Sequence, residues 1–425
     1  MVELNKSNSK PLVGFFPCFP GFGETFPIIK IAKRYVELGG EVVIFSHGGE
    51  YEYLAKDLGY KIIRIEPIAS GGVITKYFLQ YNDDDLIKLV KNEASVYKNS
   101  GINALVQSNV YFGCILGSRF AKIPLISVGS GGIRPYFKAN LATFPDNFEN
   151  YFTYIIPKFL KNRFYNWYSL NYKGPITKKM NRLAKKLDIN LRFKCATEIS
   201  YGDYTFICDF IDFLGLKPTQ DFPAENYIGT ILTDDLIDQN AKLDSEVENH
   251  LKRSGKSILL TMGGSFTMKE IFLKILEALN ETKYNVIATY SDILNEKELP
   301  QFNENILLRK FIPSIKKLHR LVDMSITHGG RGTIQTAAYS GKPLIGFPLH
   351  SEQQNNLENL ASHGSALRLS KTFFKKEKLL QTIEKIFNNY DIFLENAQTL
   401  AYNLPESNGD KNAAKRIAEI LQKSN

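Results

Sequence analysis

Short apolar runs alternate with amphipathic stretches along almost the whole chain. Leu12–Phe16 is an apolar run of strand length, followed by the loop-type sequence PCFPGFGETFP. Apolar positions then recur at Ile28, Ile29, Ile31, Ala32, Tyr35, Val36 and Leu38, which is helical spacing. Gly39 and Gly40 end that pattern, and Glu41–Ser46 is β-type. Strand, glycine loop, helix and strand in this order predict a Rossmann-like βαβ opening. Further β-type runs at Lys61–Ile65, Ala104–Gln107, Pro124–Val128, Tyr204–Asp209 and Asn226–Gly229 continue the alternation. The polar sequence TDDLIDQNAKLDSEVENH then interrupts it, and residues 231–250 read as a linker. A second series follows: strand Ser257–Thr261, helix Met268–Leu279, and strands Asn285–Tyr290, Ile306–Lys310, Met324–Thr327 and Pro343–Phe347. The pattern predicts an α/β protein of two tandem Rossmann-like domains, 1–230 and 251–425, each with a parallel sheet covered by helices. Ligands of such sheets sit at the carboxyl ends of the strands, so the expected site is the cleft between the domains.

Composition fits this reading. Of 425 residues, 44% are hydrophobic and 23% charged, enough for sizeable cores and too apolar for wholesale disorder. No stretch approaches the roughly 18 uncharged apolar residues of a membrane span, and MVELNKSNSK lacks the apolar core of a secretory signal, so the expected compartment is the cytoplasm. Cys18, Cys114, Cys195 and Cys208 form no CxxC pair, which points to reduced buried thiols rather than disulfides or a zinc site. The net charge is +9. Residues 136–194 alone hold twelve basic and three acidic residues, an excess as large as that of the whole chain.

The richest chemistry lies between Phe311 and Leu369. The run MSIT leads into His328, Gly329, Gly330, Arg331, Gly332 and Thr333, and then into a helical pattern. Glycines at the mouth of a helix let backbone N–H groups approach an anion, and the helix dipole favours negative charge there. A diphosphate suits that geometry, with the His328 imidazole and the Thr333 hydroxyl as further donors.

The same segment resembles the donor-binding signature of nucleotide-sugar glycosyltransferases of the two-domain GT-B fold, especially the UDP-glycosyltransferase and macrolide glycosyltransferase group. The matching residues are Phe311-Ile312-Pro313-Ser314, Thr327-His328-Gly329-Gly330-Arg331-Gly332-Thr333, Gly341-Lys342-Pro343, Pro348 and Glu352-Gln353-Gln354-Asn355-Asn356. Ile258–Ser265 resembles the first strand and Gly-Ser phosphate loop of the family's donor domain. The resemblance implies that Phe311 lies against the nucleobase. It implies that Ser265, His328, Arg331, Gly332 and Thr333 surround the diphosphate, and that Glu352 and Gln353 bind sugar hydroxyls. It further implies an inverting transferase with a nucleotide sugar as substrate, UDP by default, and neither cofactor nor metal. Two departures loosen the nucleotide assignment: Thr336 stands where the family has the Glu that holds the ribose, and Ser314 where it has Gln.

The N-terminal loop departs further. Members commonly carry Gly-His-x-x-Pro after the first strand, with the His as the base that deprotonates the acceptor. Here the loop reads Gly23-Glu24-Thr25-Phe26-Pro27, which makes Glu24 the candidate base. A helix N-terminus would weaken a carboxylate as a base, so a capping role and an acceptor that is itself anionic, such as a lipid phosphate, stay open. Where the family's orienting Asp would lie, the chain has Gln107-Ser108-Asn109.

Thirteen aromatic residues fall between Tyr136 and Tyr172, followed by the basic stretch KKMNRLAKKL. The aromatic and basic stretch reads as a helical insertion of about 136–194. In the resembling family the region from Tyr136 to Tyr172 forms helices that line the acceptor site, so the resemblance implies an apolar or lipid acceptor bound there by residues that the sequence does not single out. Aromatics with Lys and Arg also suit peripheral attachment to an anionic membrane surface, and the plain alternative is a helical subdomain with an aromatic core. No nucleic-acid module accompanies the basic patch. The expected activity is glycosyl transfer. A hydrolysing sugar-nucleotide epimerase and a catalytically silent nucleotide-sugar-binding partner protein are the alternatives.

Overall fold

The computed structural model describes residues 11–66, 76–108, 111–129, 134–232, 242–263, 268–291, 293–313 and 315–424. Its backbone falls into two compact units, each built around one parallel sheet.

The first unit comprises the chain up to residue 140, then 166–231 and 407–425. Its strands are β1 (Leu12–Phe16), β2 (Glu41–Ser46), β3 (Ile62–Arg64), β4 (Ala104–Gln107), β5 (Leu125–Gly129) and β6 (Tyr204–Ile207), in the spatial order β3-β2-β1-β4-β5-β6. All pairs are parallel, with Val13 opposite Val42 on one side and Ala104 on the other. This is the Rossmann strand order, and it reverses between β1 and β4. Gly14 in β1 is dictated by packing: a Cβ there would meet Phe45 at 2.5 Å. The expected strand at Asn226–Gly229 is reduced to a single bridge between Ile207 and Tyr227.

The final helix, Gly409–Ser424, packs in this unit against helix Phe22–Glu37. Asp410, almost fully buried at its start, is bound by Arg34 Nε at 2.7 Å with Lys30 nearby at 3.8 Å. The backbone N–H of Gly409 donates to Thr230 O. A buried carboxylate needs such cations, because leaving it unpaired would cost several kcal/mol.

The second unit comprises 141–165 and 232–406. Its strands are β7 (Ser257–Thr261), β8 (Asn285–Thr289), β9 (Ile306–Arg309), β10 (Met324–Thr327), β11 (Leu344–Gly346) and β12 (Ala366–Arg368), in the order β12-β11-β10-β7-β8-β9. Read from its other edge this is the same topology as the first sheet, with the reversal between β7 and β10. Its core joins the strand residues Ile258, Leu260, Val286 and Ile326 to Phe272, Ile275 and Leu276 of helix Lys269–Asn280. Within the expected linker, 233–241 lie outside the described residues, while Ser245–Leu251 is a helix capped by Asp244. Val247 of that helix is fully buried against Leu259 and Ile287. Its apolar content is too sparse to signal a helix by periodicity, yet one buried valine fixes it.

The four cysteines are buried free thiols. Among the described residues no helix is long and apolar enough to cross a membrane.

Candidate functional site

The signature residues gather at the carboxyl end of the second sheet, at its switch point. β10 delivers His328, and β7, its neighbour in register, delivers Gly263. The imidazole lies between two glycines: a Cβ on Gly263 would meet its Cε1 at 2.8 Å, and one on Gly330 its Nε2 at 2.5 Å. Gly329 has a φ of +88°, which favours glycine, and a Cβ there would collide with Gln353 O and Leu357. The glycines therefore make the room in which the His328 ring sits.

Burial, with the neighbouring His350 as a second cause, pulls the His328 imidazole down to about 4, so it is neutral near pH 7. Its Nδ1 is buried and has no hydrogen-bond partner among the described residues. Such orphaned atoms are uncommon in protein interiors and mark a place where a ligand or water completes the bonding.

Helix Arg331–Ser340 starts directly after the glycines. Gly330 is its N-cap and provides no side chain, and the first intrahelical bond runs from Ile334 N to Gly330 O. The N–H groups of Arg331, Gly332 and Thr333 thus precede the hydrogen-bonded ladder, as at any helix start. Among the described residues, a Cβ on Gly332 would touch nothing within 4 Å. An anion seated here would meet backbone donors, the positive end of a helix dipole and a neutral imidazole.

The second half of the signature is joined to the first. Helix Ser351–Ser362 carries Glu352 in its first turn, partly exposed. Gln353 Oε1 accepts from Leu349 N at 2.8 Å, which fixes the side chain. Asn356 Nδ2 donates to Gly329 O at 3.1 Å, tying this helix to the glycine turn. Asn356 is a positioning residue that the motif spacing quoted without giving it a role. Phe311 follows β9 and is 56% exposed. Three strand spacings separate β9 from β10, about 14 Å. That is on the scale of a nucleotide laid from its base to its diphosphate. Thr336 is buried in the helix. Ser265 and Ser314 lie outside the described residues.

Residues 141–165 dock on the same helix. Gln354, 2% exposed, donates to Thr143 Oγ1 and to Phe144 O, both at 2.8 Å, and accepts from Asp146 N at 3.0 Å. Asn355 Oδ1 accepts from Thr143 N at 3.1 Å. Arg368 bridges Asp146 and Glu358. The two residues after Glu352 and Gln353 therefore hold the start of the aromatic segment, a pairing across more than 200 positions that spacing could not signal.

In the first unit, Glu24 lies in the first turn of helix Phe22–Glu37, partly buried. The N-cap is Gly21, which supplies no side chain, and Glu24 stands in the first turn at the positive end of the helix dipole. Its charge reaches Cys18, whose thiol is pushed up to about 11, chiefly by burial. At the end of β4, Gln107 Nε2 donates to Ser127 Oγ at 3.3 Å, while Gln107 Oε1 and Ser108 Oγ are buried without partners. Asn109 lies outside the described residues.

A network missed by the sequence reading lies beneath this loop. His47, after β2, bonds Glu93 Oε1 through Nε2 and Ile65 O through Nδ1, each at 3.0 Å, and Tyr97 donates to the other oxygen of Glu93 at 2.9 Å. Burial pulls the His47 imidazole down, but the hydrogen bond and charge of Glu93 outweigh it and hold it above its ordinary value.

Residues 258–417 match the glycosyltransferase family 28 C-terminal domain. The chain is 24% identical over 364 residues to UDP-glucuronosyltransferase 2B13 of Oryctolagus cuniculus, an alignment covering 80% of this chain and 57% of that protein. It is 23% identical over 394 residues to an uncharacterized glycosyltransferase of Methanosarcina acetivorans, covering 88% of this chain and 87% of the relative. The chain spans 57% of the rabbit relative and 50% of YojK, an uncharacterized UDP-glucosyltransferase of Bacillus subtilis. Among solved structures, the spinosyn forosaminyltransferase SpnP superimposes with a TM-score of 0.68 at 15% identity, covering 97% of this chain and 100% of that one, a likeness of fold. With the family 28 C-terminal domain match on its second sheet and the two-sheet architecture it shares with the forosaminyltransferase, the chain has the GT-B fold, and its second unit is similar to the C-terminal domain of family 28 glycosyltransferases.

Proposed function

We propose that the protein transfers a sugar from a nucleoside diphosphate donor, UDP by default, to a hydroxyl of an apolar or lipid acceptor, with inversion at the anomeric carbon. The observation that carries this reading is the open start of helix Arg331–Ser340 beside the neutral, unpartnered His328 Nδ1. In this scheme the diphosphate lies against the N–H groups of Arg331, Gly332 and Thr333, and Ser265 is a further donor by the family resemblance. Phe311 lies under the base, and Glu352 and the Gln353 amide face the sugar.

Glu24 takes the acceptor proton as the acceptor oxygen bonds to the anomeric carbon. The bond from that carbon to the phosphate oxygen breaks, and its electron pair leaves with the diphosphate. Donors fixed before the reaction stabilise that growing charge without reorganising, in the role a divalent cation plays elsewhere. A carboxylate at a helix start is a weak base, so acceptors with acidic hydroxyls, or phosphates that need no deprotonation, suit Glu24 better than plain alcohols.

Calorimetry of the purified protein against UDP, GDP, dTDP and their sugar conjugates tests the donor half. We expect one nucleotide to bind and the signal to vanish in His328→Ala. Silence across the panel would overturn the donor site and favour a protein that acts on another ligand. For the catalytic half, Glu24→Gln should abolish transfer to an alcohol while leaving nucleotide affinity intact. Unchanged turnover would remove Glu24 from the chemistry.

A further inference from the structure

We propose that the outward face of helix Lys158–Asn171, with the residues just before it, docks on an anionic lipid bilayer. The helix is inverted relative to an ordinary surface helix. Phe159, Leu160, Phe164, Trp167 and Tyr168 are 69%, 47%, 56%, 59% and 37% exposed, whereas Lys161 and Asn166 are buried. At about 100° per residue the five apolar positions fall within one arc of about 180°, and Arg163 lies inside it. The polar residues fill the opposite arc, where Lys161 pairs with Glu149 and Asn162 Oδ1 accepts from Phe144 N at 2.8 Å. The sequence alternative of an aromatic core beneath solvated lysines is therefore reversed on this helix.

The apolar surface continues towards the N-terminus. Phe152 and Ile155 are 77% and 75% exposed, and Ile155 and Ile156 lead into a cavity of about 430 Å³ whose lining mixes them and Phe373 with the charged Asp146, Glu149, Lys158 and Lys161. Contiguous apolar surface of this kind on a folded protein marks an interaction site.

Charge selects the occupant. From Tyr151 to Leu187 the chain has nine basic residues and no acidic one. On the helix itself Arg163, inside the apolar arc, and Lys158, which also reaches Glu358 at 3.6 Å, are exposed. A second copy of the chain would bring two such surfaces together against their own repulsion. An anionic bilayer instead offers hydrocarbon to the rings within about 5–10 Å of the headgroups and phosphates to the cations, each cation contributing on the order of 1 kcal/mol. Trp167 and Tyr168, in the C-terminal half of the helix, match the side chains enriched at such interfaces. The proposal does not depend on the donor site.

Trp167 is the only tryptophan in the chain, so its fluorescence reports on this face alone. With the full-length protein and vesicles of mixed phosphatidylglycerol and phosphatidylcholine at low salt, we expect a blue-shifted, quencher-protected Trp167 emission and co-sedimentation. Partitioning should fall about tenfold with pure phosphatidylcholine vesicles or at high salt. The double variant Phe159→Ser, Phe164→Ser should lose binding by a similar factor at unchanged Tm, because both side chains are exposed. Sedimentation without a change in Trp167 emission would place the contact elsewhere and overturn the proposal. So would an emission shift that appears with protein concentration and no vesicles, the mark of self-association.

Discussion

The imidazole of His328 occupies the space that a side chain on Gly330 would need, since a Cβ there would lie 2.5 Å from Nε2. Gly330 has φ −59°, a backbone conformation open to any residue, so only that contact opposes alanine. Gly330→Ala should push the ring out of its slot and leave the fold intact. We expect the nucleotide Kd to rise at least about tenfold, about 1.4 kcal/mol, with Tm within a few degrees of the parent. An unchanged Kd by calorimetry would show that the position of the ring does not matter for binding.

Gly332 makes the complementary case. A Cβ at this position meets nothing, and alanine is the better helix former by about 0.5–1 kcal/mol. Gly332→Ala should therefore keep or raise Tm. If a phosphate approaches the Gly332 N–H, the same methyl should weaken nucleotide binding. A variant both more stable and equally tight would exclude Gly332 from the donor site.

Much of this was legible in the sequence because two periodicities reported it. The apolar runs at Leu12–Phe16, Ala104–Gln107 and Met324–Thr327 are buried along their length or nearly so, which is what strands covered on both faces require. β12 escaped, since three residues, two of them only partly buried, carry no period. The aromatics counted between Tyr136 and Tyr172 did not tell which side they take, and on helix Lys158–Asn171 the buried Lys161 and Asn166 show that the apolar side points outwards. Pairings such as His47 with Glu93, or Gln354 with Thr143, depend on the chain returning to itself and have no local signal.

Acid should destabilise the second unit through two histidines. His319 is fully buried with Nδ1 2.8 Å from Ser325 Oγ, and burial pulls it down to about 4, like His328. Both are neutral in the folded chain and take up a proton near pH 6.5 when unfolded. Their contribution to stability is complete above about 6.5 and is lost as pH falls towards 4, by roughly 1.4 kcal/mol per unit for each. His47 has the opposite sign, its stabilisation being present below about 6.5 and lost as pH rises through its raised folded value. His328→Asn should flatten the fall of Tm between pH 6.5 and 4.5. Parallel profiles for parent and variant would contradict a buried neutral imidazole.

The hold of Gln354 on the aromatic segment can be tested apart from any chemistry. The side chain is buried and makes three hydrogen bonds, to Thr143 Oγ1, Phe144 O and Asp146 N. Gln354→Leu fills similar volume but strands a backbone carbonyl and a backbone N–H, each costing about 1–3 kcal/mol when left unpaired. Gln354→Glu keeps the acceptor for Asp146 N but sets a buried carboxylate against Phe144 O, so near pH 7 it should cost at least as much as Gln354→Leu and recover as the pH falls and the carboxyl takes up a proton that it can donate. We expect chemical denaturation at pH 7 to rank the parent above both variants, and only the Glu variant to regain stability relative to the parent at lower pH. Limited proteolysis should open first between residues 141 and 157, the stretch these bonds secure. If the Leu variant matched the parent in both assays, Arg368 and its two carboxylates, rather than Gln354, would be what keeps residues 141–165 on the second unit.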